Sequence, residues 1–149
     1  MVNGKQVHVP LELANRLRPV LLRLGRELRR ETHSLGVTGR QVSLLIEIRQ
    51  SPGLGVRELA SREGISAPGI SVAIARLERA GLIERSPNAE DRRRQGLRLT
   101  AAGERVLRSV RSRRTAWLSA RLERLTPEEL AALEAALPPL ARLLEEGPR

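Results

Sequence analysis

Residues 54–100 read LGVRELASREGISAPGISVAIARLERAGLIERSPNAEDRRRQGLRLT, and this stretch decides the fold. Val56 opens a short predicted helix that ends near Glu63, and Gly64 supplies a turn after it. Ser66 then caps a second helix. The apolar face of this second helix consists of Ile70, Ile74 and Leu77. Two helices joined by a short turn with glycine form a helix-turn-helix unit, whose second helix enters the major groove of DNA.

A β-hairpin is predicted directly after the second helix. Residues 82–86 are typical of a strand, residues 87–95 are polar and rich in turn formers, and residues 97–99 alternate between apolar and polar. Upstream, Thr38 and Gln41 form a capping box that opens another helix. That helix should stop before the turn signal at Pro52 and Gly53.

A long amphipathic helix is predicted on the N-terminal side. Apolar residues recur at helical spacing from Leu13 to Leu28, and Gly36 is placed to end the segment. Pro19 should kink this helix or mark its true start, because proline lacks a backbone donor.

Two further helices are predicted on the C-terminal side. Thr100 caps a long one, and Thr126 with Glu129 forms a second capping box that opens the last. Pro138 and Pro139 should bend or break that last helix. The expected fold is therefore mainly α with a small β-hairpin.

Composition limits the function. The 149 residues contain 40% apolar residues, which suits one compact domain over residues 1–149. The formal charge is +10, the pI is about 11.6, and Lys5 is the only lysine, so a polyanionic partner is expected. A GC-rich genome explains the excess of arginine equally well, which leaves selection for phosphate or guanine contacts open.

Several classes of function are excluded by missing residue types. The chain has no cysteine, which rules out disulfides and thiolate metal sites. His8 and His33 have no ligand partners at suitable spacing, so no metal or other cofactor is expected. The sequence also lacks catalytic motifs, a signal peptide and a membrane-spanning stretch. A cytoplasmic protein without enzymatic activity, and without a membrane partner, is the simplest interpretation.

The order of elements resembles the multiple-antibiotic-resistance regulator (MarR) family over most of the chain. The residues that carry the resemblance are LGVRELA at 54–60, ISAPGISVAIARL at 65–77, LERAGLIERSP at 77–87, EDRRRQGLRLT at 90–100, and Ala102-Gly103. The resemblance implies a winged helix-turn-helix lobe at residues 38–99, with dimerisation helices at residues 10–36 and 100–146. It also implies a homodimer that acts as a transcriptional regulator, expected to be a repressor, on double-stranded DNA with a pseudo-palindromic operator.

Charge is distributed in agreement with this interpretation. Residues 76–98 contain seven arginines and four acidic residues, whereas residues 126–146 contain five glutamates and Arg142. We therefore expect the winged segment to face DNA and the last helix to face away from it.

The N-terminal turns of the recognition helix are predicted to reach base edges. The side chains there are small and offer few bidentate readers; they are Ser66, Ala67, Pro68, Gly69, Ser71 and Val72. Ordinary helix capping explains Ser66 and Pro68 equally well. Arg76, two turns further on, is a candidate for a phosphate or base contact, or for neither. Further candidates for phosphate contacts are Arg40, Arg57, Arg62 and Arg85.

The hairpin tip is the strongest local candidate. By resemblance to the family, Arg93 enters the minor groove and Asp91 fixes the wing through an ion pair, while Arg92 and Arg94 face phosphates or solvent. A solvated run of charge is the plain alternative. Because the recognition helix is poor in base readers, a minor-groove arginine and DNA shape are expected to carry much of the specificity.

The resemblance also implies a pocket for a small molecule between the dimerisation helices and the winged lobe. Its candidate lining is Leu17, Leu21, Leu24, Leu45 and Arg49, which is equally plausible as plain core. Arg16 or Arg49 could pair with a small anionic aromatic effector. Trp117, the only aromatic residue, is expected in the core or the dimer interface.

A rival function remains open at this level. The high positive charge and the small number of base-contacting side chains in the recognition helix also suit a DNA-compacting protein that binds DNA of any sequence. The two functions differ in their preference for an operator over random DNA.

Overall fold

The computed structural model of the chain describes residues 8–145, with side chains from residue 9 onward. The elements in chain order are α1 (His8–Arg30), a 3-10 turn (His33–Leu35), α2 (Gly39–Gln50), α3 (Val56–Glu63), α4 (Ala67–Arg79), β1 (Ile83–Pro87), β2 (Gln95–Leu99), α5 (Ala101–Leu122) and α6 (Pro127–Arg142). The predicted fold class, mainly α with a winged helix-turn-helix, is confirmed. The chain divides into two compact units, residues 1–114 and 115–149, and each is described by itself.

The predicted helix caps are present. The Thr38 hydroxyl accepts a bond from the backbone N–H of Gln41 at 3.2 Å, and the Gln41 side chain accepts from the N–H of Thr38 at 2.8 Å. The same reciprocal pair joins Thr126 and Glu129 at 3.2 and 2.9 Å. Gly64 ends α3 in the left-handed conformation, at φ 62°, which an L side chain adopts at a cost. Gly64 thus supplies the turn between α3 and α4, which form the helix-turn-helix.

The proline predictions were partly wrong. Pro19 lies inside α1, which begins eleven residues earlier at His8, so it does not mark a start. Pro138 and Pro139 lie inside α6, which continues to Arg142. A proline removes one backbone bond and costs about 3 kcal/mol, yet a helix with enough turns on either side can continue through it.

The hairpin pairs in antiparallel register from Ile83 with Leu99 to Pro87 with Gln95. An isolated bridge between Leu54 and Leu97 adds the loop after α2 to the outer side of β2. The core of the first unit lies between α2, α3, α4 and the hairpin. Its fully buried side chains include Val42, Leu44, Leu45, Ile48, Leu59, Ile70, Ile74, Leu77 and Leu97. Burying each such aliphatic side chain contributes about 1.5–3 kcal/mol, which makes this lobe a rigid support for what projects from it.

Candidate DNA-binding surface

The N-terminal half of α4 presents small side chains to solvent. Ile70, Ile74 and Leu77 are buried at 0–1% exposure and fix one face of the helix against the core. The six residues predicted to reach base edges all lie on the exposed side: Ser66, Ala67, Pro68, Gly69, Ser71 and Val72. Val72, at 52% exposure, is the largest apolar side chain on this face. Nothing on this face projects far enough to hold a DNA backbone away from the helix.

The two hydroxyls on this face already have local partners. Ser66 accepts a bond from the backbone N–H of Gly69 at 3.4 Å, which is a long N-cap bond. Ser71 donates to the carbonyl of Ala67 at 2.9 Å. The capping explanation of Ser66 is therefore present in the structure, and Ser71 keeps acceptor capacity only. Direct reading of bases by the N-terminal turns of α4 is accordingly limited to weak acceptors and apolar contacts.

Arginines around α4 differ in their freedom to contact phosphate. Arg76 is exposed about one turn beyond Val72, the last residue of the small-residue face. Arg85, by contrast, forms two bonds to the Glu78 carboxylate at 2.7 and 3.2 Å. Arg62 contacts Glu47 at 3.3 Å and the Ser51 hydroxyl at 2.9 Å. Exposed pairs of this kind contribute only about 0.2–1 kcal/mol, so a phosphate can displace the acid.

The hairpin tip is a turn over residues 88–94 that is closed by backbone bonds. The N–H of Asn88 donates to the carbonyl of Arg94 at 2.8 Å, and the N–H of Arg94 donates to the carbonyl of Asp91 at 2.9 Å. Arg92, Arg93 and Arg94 are all exposed there. Three adjacent guanidinium groups thus project from the end of the hairpin.

Asp91 does not form the expected ion pair. No salt bridge of Asp91 occurs among the side chains that the structure describes, from residue 9 to residue 145. Its carboxylate instead accepts a bond from the backbone N–H of Arg93 at 3.0 Å. This is the local turn that Asp favours, with the side chain bonded to the backbone two residues on. Asp91 therefore shapes the tip through the backbone.

Three residues at the base of the wing were missed by sequence reasoning. Asn88 is 3% exposed, and its amide bonds to Gly53 as well as to the tip. Gly53 has φ 85°, and a Cβ on Gly96 would overlap the oxygen and carbon atoms of Gly53. The asparagine after Pro87 was a turn signal, but nothing local showed that a loop 35 residues away would cover it.

Charge alone does not single out the wing. Helix α5 carries six arginines and only Glu104 as an acid, so it is more basic than residues 76–98. Arg113 donates to the Ser34 hydroxyl at 2.6 Å, and Arg114 to the carbonyl of Leu28 at 3.2 Å. Some arginines of α5 therefore form hydrogen bonds within the first unit. Net charge by itself does not distinguish a DNA-binding surface in this chain.

No group of three or more metal-ligating side chains occurs within the described part of the chain. His33 is exposed in the 3-10 turn, and the side chain of His8 lies outside the described residues. None of the helices described is long and apolar enough to cross a membrane.

Comparison with known proteins agrees with this geometry. The model of the MarR family matches residues 35–94. The HTH-type transcriptional repressor MdtR of Bacillus subtilis is 35% identical over 101 residues, which are 68% of this chain and 64% of that protein. The structure of a proposed transcriptional regulator from Pseudomonas aeruginosa is 31% identical, with a TM-score of 0.79, and the match covers 93% of this chain and 97% of the other. A MarR family protein from Bacillus stearothermophilus is 25% identical, with a TM-score of 0.76, over 98% of this chain and 100% of the other.

Proposed function

The chain belongs to the MarR family of DNA-binding transcriptional regulators, and on that premise we propose that it is a repressor that acts as a homodimer on a pseudo-palindromic operator. It is not an enzyme. Repression is the activity named for the Bacillus subtilis relative. The proposed organisation is a DNA-binding lobe at residues 38–99 with dimerisation helices at residues 10–36 and 100–146. A DNA-bound role implies the cytoplasm as its place of action.

One observation carries the proposal: two exposed features, each suited to a groove of DNA, belong to the same lobe. The first is the small-residue face of α4, and the second is the arginine tip at residues 92–94. The bridge between Leu54 and Leu97 ties the hairpin to the loop that leads into α3. A helix that enters the major groove and a hairpin that reaches the adjacent minor groove therefore dock together.

Apolar surface supports a dimer. In α1, seven apolar side chains are 40–63% exposed: Val9, Leu11, Leu13, Val20, Leu21, Leu22 and Leu24. Within α6, all of which the structure describes, no residue is buried, and Leu130, Leu133 and Leu137 are 38–63% exposed. Contiguous apolar surface of this kind marks an interaction site. The proposed occupant is a second copy of the chain, which would space two recognition helices about one turn of DNA apart.

The test of DNA recognition is a selection from a genomic library at about 150 mM salt, followed by titration of the best fragment against a scrambled duplex. A single inverted-repeat motif, with preference of roughly 1,000-fold or more, is the expected result. Enrichment without a motif, together with equal affinity for both duplexes, would contradict the repressor function and favour a DNA-compacting protein.

We further propose that a small anionic aromatic ligand releases the protein from DNA. A cleft of about 320 Å³ in the first unit is lined by Gly25, Leu28, Arg29, Gly39, Val42, Ser43, Ile46 and Arg114. Burial lowers the pKa of Arg114, and the positive charge of Arg29 lowers it further. An anion in the cleft would oppose both effects, because pairing with the two guanidinium groups favours their charged forms.

The residues expected earlier for this pocket lie elsewhere. Leu45 is fully buried in the core, and Arg49 is exposed on α2. Leu17 is half-buried, Arg16, Leu21 and Leu24 are exposed on α1, and none of the four is among the residues that line the described cleft. We therefore propose that Arg29 and Arg114, rather than Arg16 or Arg49, pair with the anionic ligand.

Titration with benzoate and with 2-hydroxybenzoate tests this part. A ligand of this kind should raise the melting temperature of the free protein and weaken its binding to the operator. The Arg114→Met variant keeps the apolar stem and should lose both effects, whereas Arg111→Met, an exposed arginine of the same helix, should keep them. If the anions change neither quantity in the unaltered protein, it does not sense ligands of this class.

A further inference from the structure

The side chain of Asn88 joins two segments that are distant in sequence. Its Nδ2 donates to the carbonyl of Gly53 at 3.1 Å, across 35 residues. Its Oδ1 accepts from the backbone N–H groups of Glu90 and Asp91, at 3.0 Å each. One amide therefore connects the loop after α2 with the turn that carries the exposed arginines.

This side chain is built into the lobe. Asn88 is 3% exposed, and an amide without partners at such a site would cost roughly 1–3 kcal/mol. Backbone bonds reinforce the connection, because the N–H of Ala89 also donates to the carbonyl of Gly53 at 3.1 Å, and the N–H of Gly53 donates to Leu97 at 2.8 Å. Only a side chain with both a donor and an acceptor fits these partners.

Hydrogen bonds continue from Asn88 to the arginine tip. Asn88 fixes the N–H of Asp91, and the Asp91 carboxylate accepts from the N–H of Arg93 at 3.0 Å. In the other direction, Gly53 lies two residues before Gly55, whose N–H donates to Glu58 at 2.8 Å at the start of α3. The start of the helix-turn-helix and the backbone of Arg93 are thus linked by successive short contacts.

We propose that Asn88 is the positioning residue of the wing, which sets operator specificity by holding the Arg93 backbone in register with the recognition helix. The proposal rests on the proposed function, in which Arg93 enters the minor groove. A tip held in its bound conformation loses less conformational entropy when it docks, and this gain applies only where the arginine fits the groove. Asn88 itself does not touch DNA.

The Asn88→Asp variant separates the two halves of the connection. It keeps the acceptor for Glu90 and Asp91 but replaces the donor to Gly53 by a carboxylate oxygen. Asn88→Ala removes both. Gln95→Glu makes the corresponding amide-to-carboxylate change at an exposed position of β2 next to the tip, and it controls for the added negative charge.

The decisive measurement is a double-mutant cycle with Arg93→Ala on the selected operator and on scrambled DNA. At neutral pH, Asn88→Asp should weaken operator binding by about 10-fold, the equivalent of one hydrogen bond to a charged or buried partner, with little change on scrambled DNA. In the Arg93→Ala background the same change should cost less than about 2-fold, because the group that it positions is gone. An equal loss in both backgrounds, or an equal loss in Gln95→Glu, overturns the proposal.

Two readouts separate this proposal from the proposed function. Backbone amide exchange needs no DNA: Asn88→Ala should lose protection at Glu90 and Asp91, whereas Asn88→Asp should keep it, and protection unchanged in both variants overturns the positioning role. If Arg93→Ala alone leaves operator preference intact, the minor-groove function of the wing fails, whatever the exchange data show.

Asn88→Asp keeps the shape of asparagine, so the double-mutant cycle remains available if Asn88→Ala does not fold.

Discussion

Replacement of Gly96 by alanine adds a single methyl group, yet it should destabilise the winged lobe strongly. A Cβ at Gly96 would overlap the oxygen, carbon and Cα atoms of Gly53, all of which are backbone and cannot rotate away. Either the loop after α2 or strand β2 has to move. Such a movement breaks the bond from the N–H of Gly53 to Leu97 at 2.8 Å and the bond from the N–H of Leu97 to Leu54 at 3.0 Å.

The magnitude follows from these two contributions. Two backbone bonds at about 1 kcal/mol each account for about 2 kcal/mol. Overpacking of a tightly packed site adds about 1–3 kcal/mol. The free energy of unfolding should therefore fall by about 3–5 kcal/mol, a large part of the 5–15 kcal/mol typical of a folded domain.

Gly64→Ala is the matched control. Gly64 has φ 62°, but nothing lies within 4 Å of a Cβ at that position, so the change costs only the left-handed conformation. That cost is about 1–2 kcal/mol. Urea unfolding followed by far-UV circular dichroism, at one fixed protein concentration, measures both variants. If Gly96→Ala is no more destabilising than Gly64→Ala, the close approach of β2 to Gly53 does not hold the wing.

Three further predictions concern the DNA-facing side and the last helix. Arg93→Ala should cost at least as much operator discrimination as Ser71→Ala in a competition titration, and an equal loss on operator and random DNA would reduce Arg93 to a phosphate contact. Arg94→Gln should lower the slope of log affinity against log salt by about 0.9 per protomer if Arg94 neutralises one phosphate, and an unchanged slope would leave Arg94 in solvent. The pKa of Glu128 lies below its ordinary value of 4.5, chiefly because the residue's own backbone N–H donates to the carboxylate, and also because the Thr126 hydroxyl does. The stabilising effect of the Glu128 carboxylate is therefore complete above about pH 4.5, and it is lost as the pH falls through the lowered pKa. Thermal unfolding of Glu128→Gln between pH 2 and pH 6 should accordingly depend less on pH than that of the unaltered protein, and identical profiles would contradict this.

Local signals predicted the elements of the fold well. The capping boxes at Thr38 and Thr126 act within four residues, so the sequence contains all the information they need. The same holds for Gly64, whose left-handed conformation ends α3 at the predicted place. Prolines were read less well, because the preference of a proline is local while the continuation of α1 and α6 depends on the whole helix.

The arrangement of the wing could not be predicted in the same way. Asn88 and Gly96 have their roles only because the loop at Gly53 lies against them, and this contact spans 35 residues in the case of Asn88. Asp91 shows the converse. Its ion pair was expected from the resemblance to a family, whereas its actual bond to the N–H of Arg93 is a turn that a local rule describes.

The geometry of α4 bears on where sequence preference can arise. The side chains exposed on its N-terminal turns are small, and both hydroxyls are engaged in local bonds. Bidentate reading of a base, worth about 1–3 kcal/mol for each pair, needs arginine, asparagine or glutamine at such positions, and the N-terminal turns of α4 have none. A regulator with this helix must therefore obtain its preference from elsewhere, and narrow minor grooves attract inserted arginines most strongly. The exposed tip at Arg93 supplies such an arginine, and its value for specificity depends on how rigidly the lobe holds it. Under the proposed function, the close packing of Gly53 against Asn88 and Gly96 should contribute to recognition, since a loose tip would bind phosphate on any sequence.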